Sequence, residues 1–225
     1  MRPPLIVAID GPSGAGKSSA ARALAERLGV PYIDTGAMYR AVGLAARDRG
    51  IGLPIEDAEA VAALARNARI ELLPQPGGNR VLLDGRDVSE DIRQPEVSLY
   101  ASAVSAIPAV RRSLVAEQQR LGRERGGVME GRDIGTRVFP ETPFKFFLTA
   151  DPAVRADRRA RELEARGTPQ PYEAVRRDME KRDRDDGSRA DSPLTLDGRY
   201  VLIDSTDRPL EAVVEEIERR VREAI

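Results

Sequence analysis

The 225-residue sequence contains no cysteine and no histidine. It can therefore form no disulfide, carry no thiolate nucleophile or imidazole base, and build no ordinary zinc site. Any catalysis must run on carboxylates, hydroxyls, Lys, Arg, backbone amides and a hard cation such as Mg²⁺. Lysine is scarce as well: of 36 Lys and Arg residues, only Lys17, Lys145 and Lys181 are lysine. Arginine keeps its charge and grips phosphate or carboxylate in a planar fork, so the bias suits anion binding, although a GC-rich genome or a hot habitat would also produce it. Net charge is nearly absent at −1, which argues against general binding to nucleic acid or a membrane surface. No apolar run approaches the roughly 20 residues that span a bilayer, and the start shows no signal-peptide pattern, so a cytoplasmic protein is expected. What is present, 41% apolar and 32% charged residues, is the composition of a soluble globular protein with one large domain or a core carrying inserts.

Short apolar runs alternate with helical periodicity along the chain. "LIVAI" (5–9) reads as a buried strand and "SSAARALAERL" as a helix closed by Gly29. "VPYID" predicts a second strand, leading through Thr35 and Gly36 into the helix "AMYRAVGLAARDRG". "EDAEAVAALARNA" predicts a helix with an acidic first turn. Residues 69–73 and 80–83, around a Pro/Gly loop, predict a small antiparallel hairpin. A long helix follows Pro108, then the strands "GGVMEGRDIG" and "FKFFLTA", an arginine-rich helical segment over about 151–189, the strand "YVLID" and a C-terminal helix. Five apolar strands separated by helices imply an α/β fold: a mostly parallel sheet covered on both faces. The hairpin and the arginine-rich segment break the alternation and read as inserts over the strands' C-terminal edge, where such folds bind ligands.

The stretch "GPSGAGKS" (Gly11, Pro12, Ser13, Gly14, Ala15, Gly16, Lys17, Ser18) fits G-x-x-x-x-G-K-[ST]. An apolar strand precedes it and an amphipathic helix follows, the context a phosphate-binding P-loop requires. Glycines let successive N–H groups face one point, and the helix N-terminus adds about half a positive charge there. Lys17 would bridge the β- and γ-phosphates and the Ser18 hydroxyl would ligate Mg²⁺. The bound molecule is expected to be a nucleoside triphosphate. No N-K-x-D guanine signature occurs, and "GGVMEGRD" is a poor Walker B match because glutamate and glycine precede the aspartate. Asp10 and Asp34 end strands beside the loop and could hold metal-bound waters or merely cap turns.

Four motifs, "IDGPSGAGKSS", "DTGAMYRAVGLAA", "MEGRDIGTRVFPE" and "KRDRDD…R…SPL", resemble bacterial cytidylate kinases over essentially the whole chain, in the family's order and spacing. The resemblance implies a P-loop NTPase-type three-layer fold: a five-stranded parallel sheet with helices on both faces, an NMP-binding insert containing a small antiparallel sheet, and a helical LID. The expected divisions are core at 1–34, NMP-binding region at 35–107 with its antiparallel insert near 69–90, core at 108–150, LID at 151–190 and core at 191–225. It implies ATP as phosphoryl donor, Mg²⁺ as cofactor, CMP or dCMP as acceptor, and a monomer with no nucleic-acid or membrane partner. Carried over by position, residues Gly11 to Ser19 form the ATP phosphate loop. Thr35 and Arg40 face CMP, Arg40 toward its phosphate. Ser102, Arg111, Arg132 and Asp133 surround base and phosphate, and Arg182, Asp186 and Arg189 hold sugar and phosphate. Lys17, Arg40, Arg132 and Arg189 would act in catalysis, with LID arginines such as Arg155 or Arg159 closing over the reaction centre.

Elementary chemistry supports these roles. Cytosine offers an exocyclic amine donor and two acceptors, which a carboxylate such as Asp133 and a guanidinium such as Arg111 would complement. Uracil inverts part of that pattern. A bland reading stands beside each assignment: Arg111 on a solvated helix face, Arg132 and Asp133 as a strand-end ion pair, Met38 and Tyr39 as packing. The rival functions are another small-acceptor P-loop kinase and a non-catalytic nucleotide-sensing module.

Overall fold

The computed structural model describes residues 4–189 and 191–225; Ala190, the end of the expected LID segment, and residues 1–3 of the first expected division lie outside the described residues. The elements run β1 (Ile6–Asp10), α1 (Lys17–Leu28), β2 (Tyr32–Asp34), α2 (Thr35–Asp48), α3 (Ala58–Asn67), β3 (Ile70–Gln75), β4 (Gly78–Leu83), β5 (Arg86–Asp87), α4 (Pro95–Ser105), α5 (Pro108–Arg125), β6 (Gly127–Gly131), β7 (Phe144–Thr149), α6 (Pro152–Ala165), α7 (Tyr172–Ser188), β8 (Val201–Asp204) and α8 (Leu210–Arg222). A 3₁₀ turn covers Asp91–Arg93 and a π-helical turn Ile134–Val138.

Five strands form a parallel sheet in the order β2-β6-β1-β7-β8. Alternation of strand and helix requires this arrangement, since parallel neighbours need a crossover between them. In β1, β6 and β7 consecutive residues are buried rather than every second one, so both sheet faces are covered. The edge strand β8 instead alternates, with Ile203 inside and Leu202 outside. Phe146, Ile9, Leu24, Met129, Leu148 and Ile217 are among the largest fully buried side chains.

The expected hairpin is the first half of a three-stranded antiparallel sheet, β3-β4-β5. Gln75 pairs with Gly78 across Pro76 and Gly77, and Leu83 pairs with Arg86 across Asp84 and Gly85. Asp84 and Gly85 have φ 51° and 83°, the double left-handed conformation that joins strands with matching twist. The arginine-rich segment is two helices, α6 and α7, meeting over a small core of Ala156, Leu163, Val175 and Met179. Helix α4 was absent from the expected elements. No helix among the described residues is long and apolar enough to cross a membrane.

By internal contacts the chain divides into two compact units: residues up to Ile6 with Val30–Met129, and Val7–Gly29 with Glu130–Ile225. In the first, α2 packs on α4 so closely that a Cβ on Gly43 would lie 2.9 Å from the Ala101 nitrogen and 3.0 Å from the Tyr100 Cβ. Gly43→Ala gains helix propensity of about 1 kcal/mol but overpacks against backbone, at a cost of about 1–3 kcal/mol. The expected result is a Tm lower by several degrees, measured by calorimetry; a rise in Tm would contradict this packing.

Candidate functional site

The second unit contains the glycine-rich loop. β1 ends at Asp10, and at Gly11 the backbone passes the neighbouring strand so closely that a Cβ would sit 2.0 Å from the Leu148 carbonyl oxygen. Gly14 and Gly16 take left-handed φ of 75° and 88°, the kind of turn that brings successive N–H groups to one side. Gly16 is the N-cap of α1 and supplies no side-chain cap. The first-turn amides of α1 therefore have neither an intrahelical acceptor nor a side chain to satisfy them, and an anion fits there.

Lys17 is buried and donates to the Pro12 carbonyl oxygen at 2.7 Å, so its ammonium lies across its own loop. Burial brings its pKa down from 10.5 to about 7; Arg132 and Arg182 add to the fall, while Glu130 and Asp10 oppose it. Burial makes the ammonium's charge costly here, and a polyanion seated on the loop would favour the charged form. The exposed Ser18 donates its hydroxyl to Glu130 Oε2 at 2.8 Å, bringing two hard oxygen ligands together. Ser205 supports the loop from behind, donating to the Ala15 carbonyl at 3.0 Å and accepting from Arg158 Nη1 at 3.0 Å.

Around the loop the guanidiniums are paired. Arg155 is buried; its Nε donates to the Ala150 carbonyl, its Nη1 to the Ser13 carbonyl at 3.1 Å, and its Nη2 meets Asp183 at 2.7 Å. It ties α6 and α7 to the loop itself. Arg159 is half-buried and pairs with Glu162 on its own helix. Asp186, 1% exposed, accepts from Arg132 Nε at 2.7 Å and from Arg189. Burial alone would raise its pKa, but Arg132, Arg189 and Arg182 turn it below the usual 3.8. Burial likewise opposes charge on Arg132, and Asp186 with Glu130 and Asp183 overrides it upward. Arg132 thus pairs with Asp186 at the far end of α7, and its neighbour Asp133 is buried in the turn after β6.

The first unit holds the remaining expected residues. Asp34 caps α2 by accepting from the Ala37 N–H at 2.9 Å, and Arg40 lies 3.5 Å from the same carboxylate. Thr35 is buried in the first turn of α2. From the antiparallel sheet, Asn79 accepts from the Asp34 N–H and donates to the Tyr32 carbonyl, fixing the β2–α2 corner. Arg111 on α5 is 2% exposed, donates to the Ser105 carbonyl at 3.2 Å and stacks 5.4 Å from the Tyr39 ring centroid. Ser102 is half-buried on α4, which ends in the turn that Arg111 holds. Met38 is core, and Tyr39 packs beneath Arg111.

Glu130, Ser205, Arg158, Asn79 and Tyr200 had no assigned role in the sequence. Glu130 carried the one usable signal, an acidic residue closing an apolar strand. The others act on partners far away in the chain and leave no local mark.

A protein-family profile for cytidylate kinase matches residues 7–223. A cytidylate kinase of Caldanaerobacter subterraneus subsp. tengcongensis is 49% identical over 216 residues, covering 96% of this chain and 94% of that protein. One of Symbiobacterium thermophilum is 46% identical over 219 residues, covering 97% and 96%. Among solved structures, an uncharacterized protein from Eubacterium ventriosum aligns with TM-score 0.52 at 15% identity, covering 97% of this chain and 98% of that one, a likeness of fold alone.

Asp186→Asn leaves two poorly hydrated guanidiniums without their carboxylate, which costs about 3–5 kcal/mol in a buried network. Urea unfolding at pH 7 is expected to show that loss. Because the folded-state pKa of Asp186 lies below its unfolded value, its contribution is present above pH 4 and disappears as pH falls through the folded pKa. The gap between wild type and variant should close in that acid window, and a gap independent of pH would contradict the ion-pair account.

Proposed function

The chain belongs to the cytidylate kinase family, and from that premise we propose that it transfers the γ-phosphate of ATP to CMP or dCMP, releasing ADP and the nucleoside diphosphate. The observation that carries this reading is the phosphate loop with Lys17 and Ser18 at its exit, ringed in the same unit by arginines already oriented by carboxylates. Phosphoryl transfer demands little covalent chemistry from a protein: in-line positioning, neutralisation of charge and exclusion of water. An acceptor phosphate oxygen is anionic at pH 7, so no general base is needed, and a chain without histidine lacks nothing for this step.

The roles divide as follows. Main-chain N–H groups of the 11–19 loop, which Pro12 alone lacks, and Lys17 hold the ATP phosphates. Ser18 and Glu130 fit Mg²⁺, a hard cation that takes one or two protein oxygens and leaves the rest of its shell to water and phosphate. When bound, the metal neutralises charge on the β- and γ-oxygens. Arg132 and Arg189, held by Asp186, take phosphate, and Arg40 takes the acceptor phosphate. Asp186 works through those arginines, its buried carboxylate already engaged, with Arg182 adding positive charge. Thr35, Ser102, Arg111 and Asp133 read the cytosine edge. Arg155 fixes the loop to the LID helices and Arg159 covers the phosphates from α6. Action as a cytoplasmic monomer on small nucleotides, with no nucleic-acid or membrane partner, completes the reading, and the net charge of −1 supports it.

A coupled ADP-release assay with CMP, dCMP, UMP and AMP tests this. CMP and dCMP should stimulate ADP release, and UMP should show kcat/KM lower by about tenfold to a hundredfold, the effect of one mismatched buried polar contact of about 1–3 kcal/mol. Equal values for UMP and CMP would refute the specificity, and no CMP-stimulated release would leave a nucleotide-sensing module. Lys17→Ala should lower kcat on the order of 10²-fold, a loss of about 3 kcal/mol. Near-normal turnover in that variant would contradict the role given to the loop.

A further inference from the structure

Asp10 is a fully buried carboxylate one residue before the phosphate loop. Its Oδ1 accepts from the Ile134 N–H at 3.0 Å, and its Oδ2 accepts from the Gly135 N–H at 2.8 Å and from the Tyr200 hydroxyl at 2.7 Å. Ile134 and Gly135 open the π-helical turn that immediately follows Arg132 and Asp133. We infer that Asp10 and Tyr200 are positioning residues for the transfer: together they lock the Arg132–Asp133 corner to the start of the phosphate loop. The inference rests on the kinase reading only in giving Arg132 and Asp133 work to do on substrate.

The corner needs such a lock. β6 ends at Gly131, and Asp133 has φ −147° and ψ 24°, neither strand nor helix, so no sheet ladder fixes its direction. Tyr200 stands on a rigid base: its ring meets Phe147 edge to face at 5.9 Å, and Phe147 pairs in register with Asp10 across β7 and β1. Gly135 is pressed so closely on this support that a Cβ would lie 2.7 Å from the Tyr200 hydroxyl and 3.1 Å from Lys145 Cδ. The contacts run from Phe147 through Tyr200 and Asp10 to the turn, with no exposed link. Burial and the adjacent Asp10 push the Tyr200 pKa upward, so its hydroxyl stays a donor.

An ionised carboxylate is required, because a protonated Asp10 would present an O–H to one of three donors. Burial raises the Asp10 pKa to about 6, aided by nearby Asp133, while the Gly135, Ile134 and Tyr200 donors lower it. Lys17 on α1 and Lys145 on β7 also face the carboxylate and favour its charge. Acidification through pH 6 therefore loosens the corner.

Asp10→Asn and Tyr200→Phe in the full chain test the inference by kcat at saturating ATP and CMP over pH 5–8, alongside amide hydrogen exchange of residues 131–138. In folded Asp10→Asn, kcat should fall on the order of tenfold or more through misplacement of the corner. Its acid limb near pH 6 should vanish, and exchange at Ile134 and Gly135 should quicken. Tyr200→Phe removes a donor to the ionised form, so its acid limb should move to higher pH. Wild-type kcat, pH profile and exchange in a folded Asp10→Asn protein would overturn the inference. If that variant does not fold, an unmoved limb and unchanged exchange in Tyr200→Phe would do so. A wild type without CMP-dependent turnover would instead sink the kinase reading, leaving exchange to judge the lock.

Discussion

The geometry of the site follows from a lack of room at the end of β1. With only 2.0 Å between a would-be Gly11 Cβ and the Leu148 carbonyl, the chain can leave the sheet there only as bare backbone. Two further left-handed glycines then turn it into a shallow ring that hands over to α1. The ring presents amide dipoles rather than side chains, and such dipoles need no reorganisation when charge arrives. Lys17, Ser18 and the helix terminus are in position because the loop has this shape.

Pre-orientation also governs the charged side chains. Burying a guanidinium is costly unless a carboxylate and further acceptors surround it, and Arg132, Arg155 and Arg189 each have such a partner in Asp186 or Asp183. The pairs add little to stability over a well-packed apolar core, but they fix the directions in which positive charge points. In the first unit Arg40 lies beside the Asp34 carboxylate, and neutral groups orient other parts. Asn79 reads the backbone of β2 as a strand would, and Tyr39 supports Arg111 by its ring face.

Much of this was legible in the residues alone. The apolar runs of β1, β7 and β8, the helical stripes of α1 and α8, and the glycine-lysine-serine spacing each carry a local physical signal. Helix α4 carried one too, with Pro95 at its first position and Val97, Tyr100, Ala101 and Val104 buried along one face, but serines and β-branched residues diluted it. Asp84-Gly85 is likewise a local signal, for the second hairpin turn between β4 and β5. Asp10 and Asp34 could not be told apart by sequence: both close strands before a turn, yet one holds the turn after β6 and the other caps α2. Ser205 and Tyr200 lie 190 residues from the loop groups they support, and no local pattern encodes contacts of that span.

The account stands or falls on whether main-chain amides at the end of β1 grip a polyphosphate. Equilibrium binding by calorimetry of ATP, ADP, adenosine and inorganic tripolyphosphate measures that directly. The account predicts that affinity follows phosphate number, that tripolyphosphate competes with ATP, and that adenosine binds far more weakly than either nucleotide. Adenosine binding as tightly as ATP, or tripolyphosphate failing to displace it, would contradict the assignment of the loop.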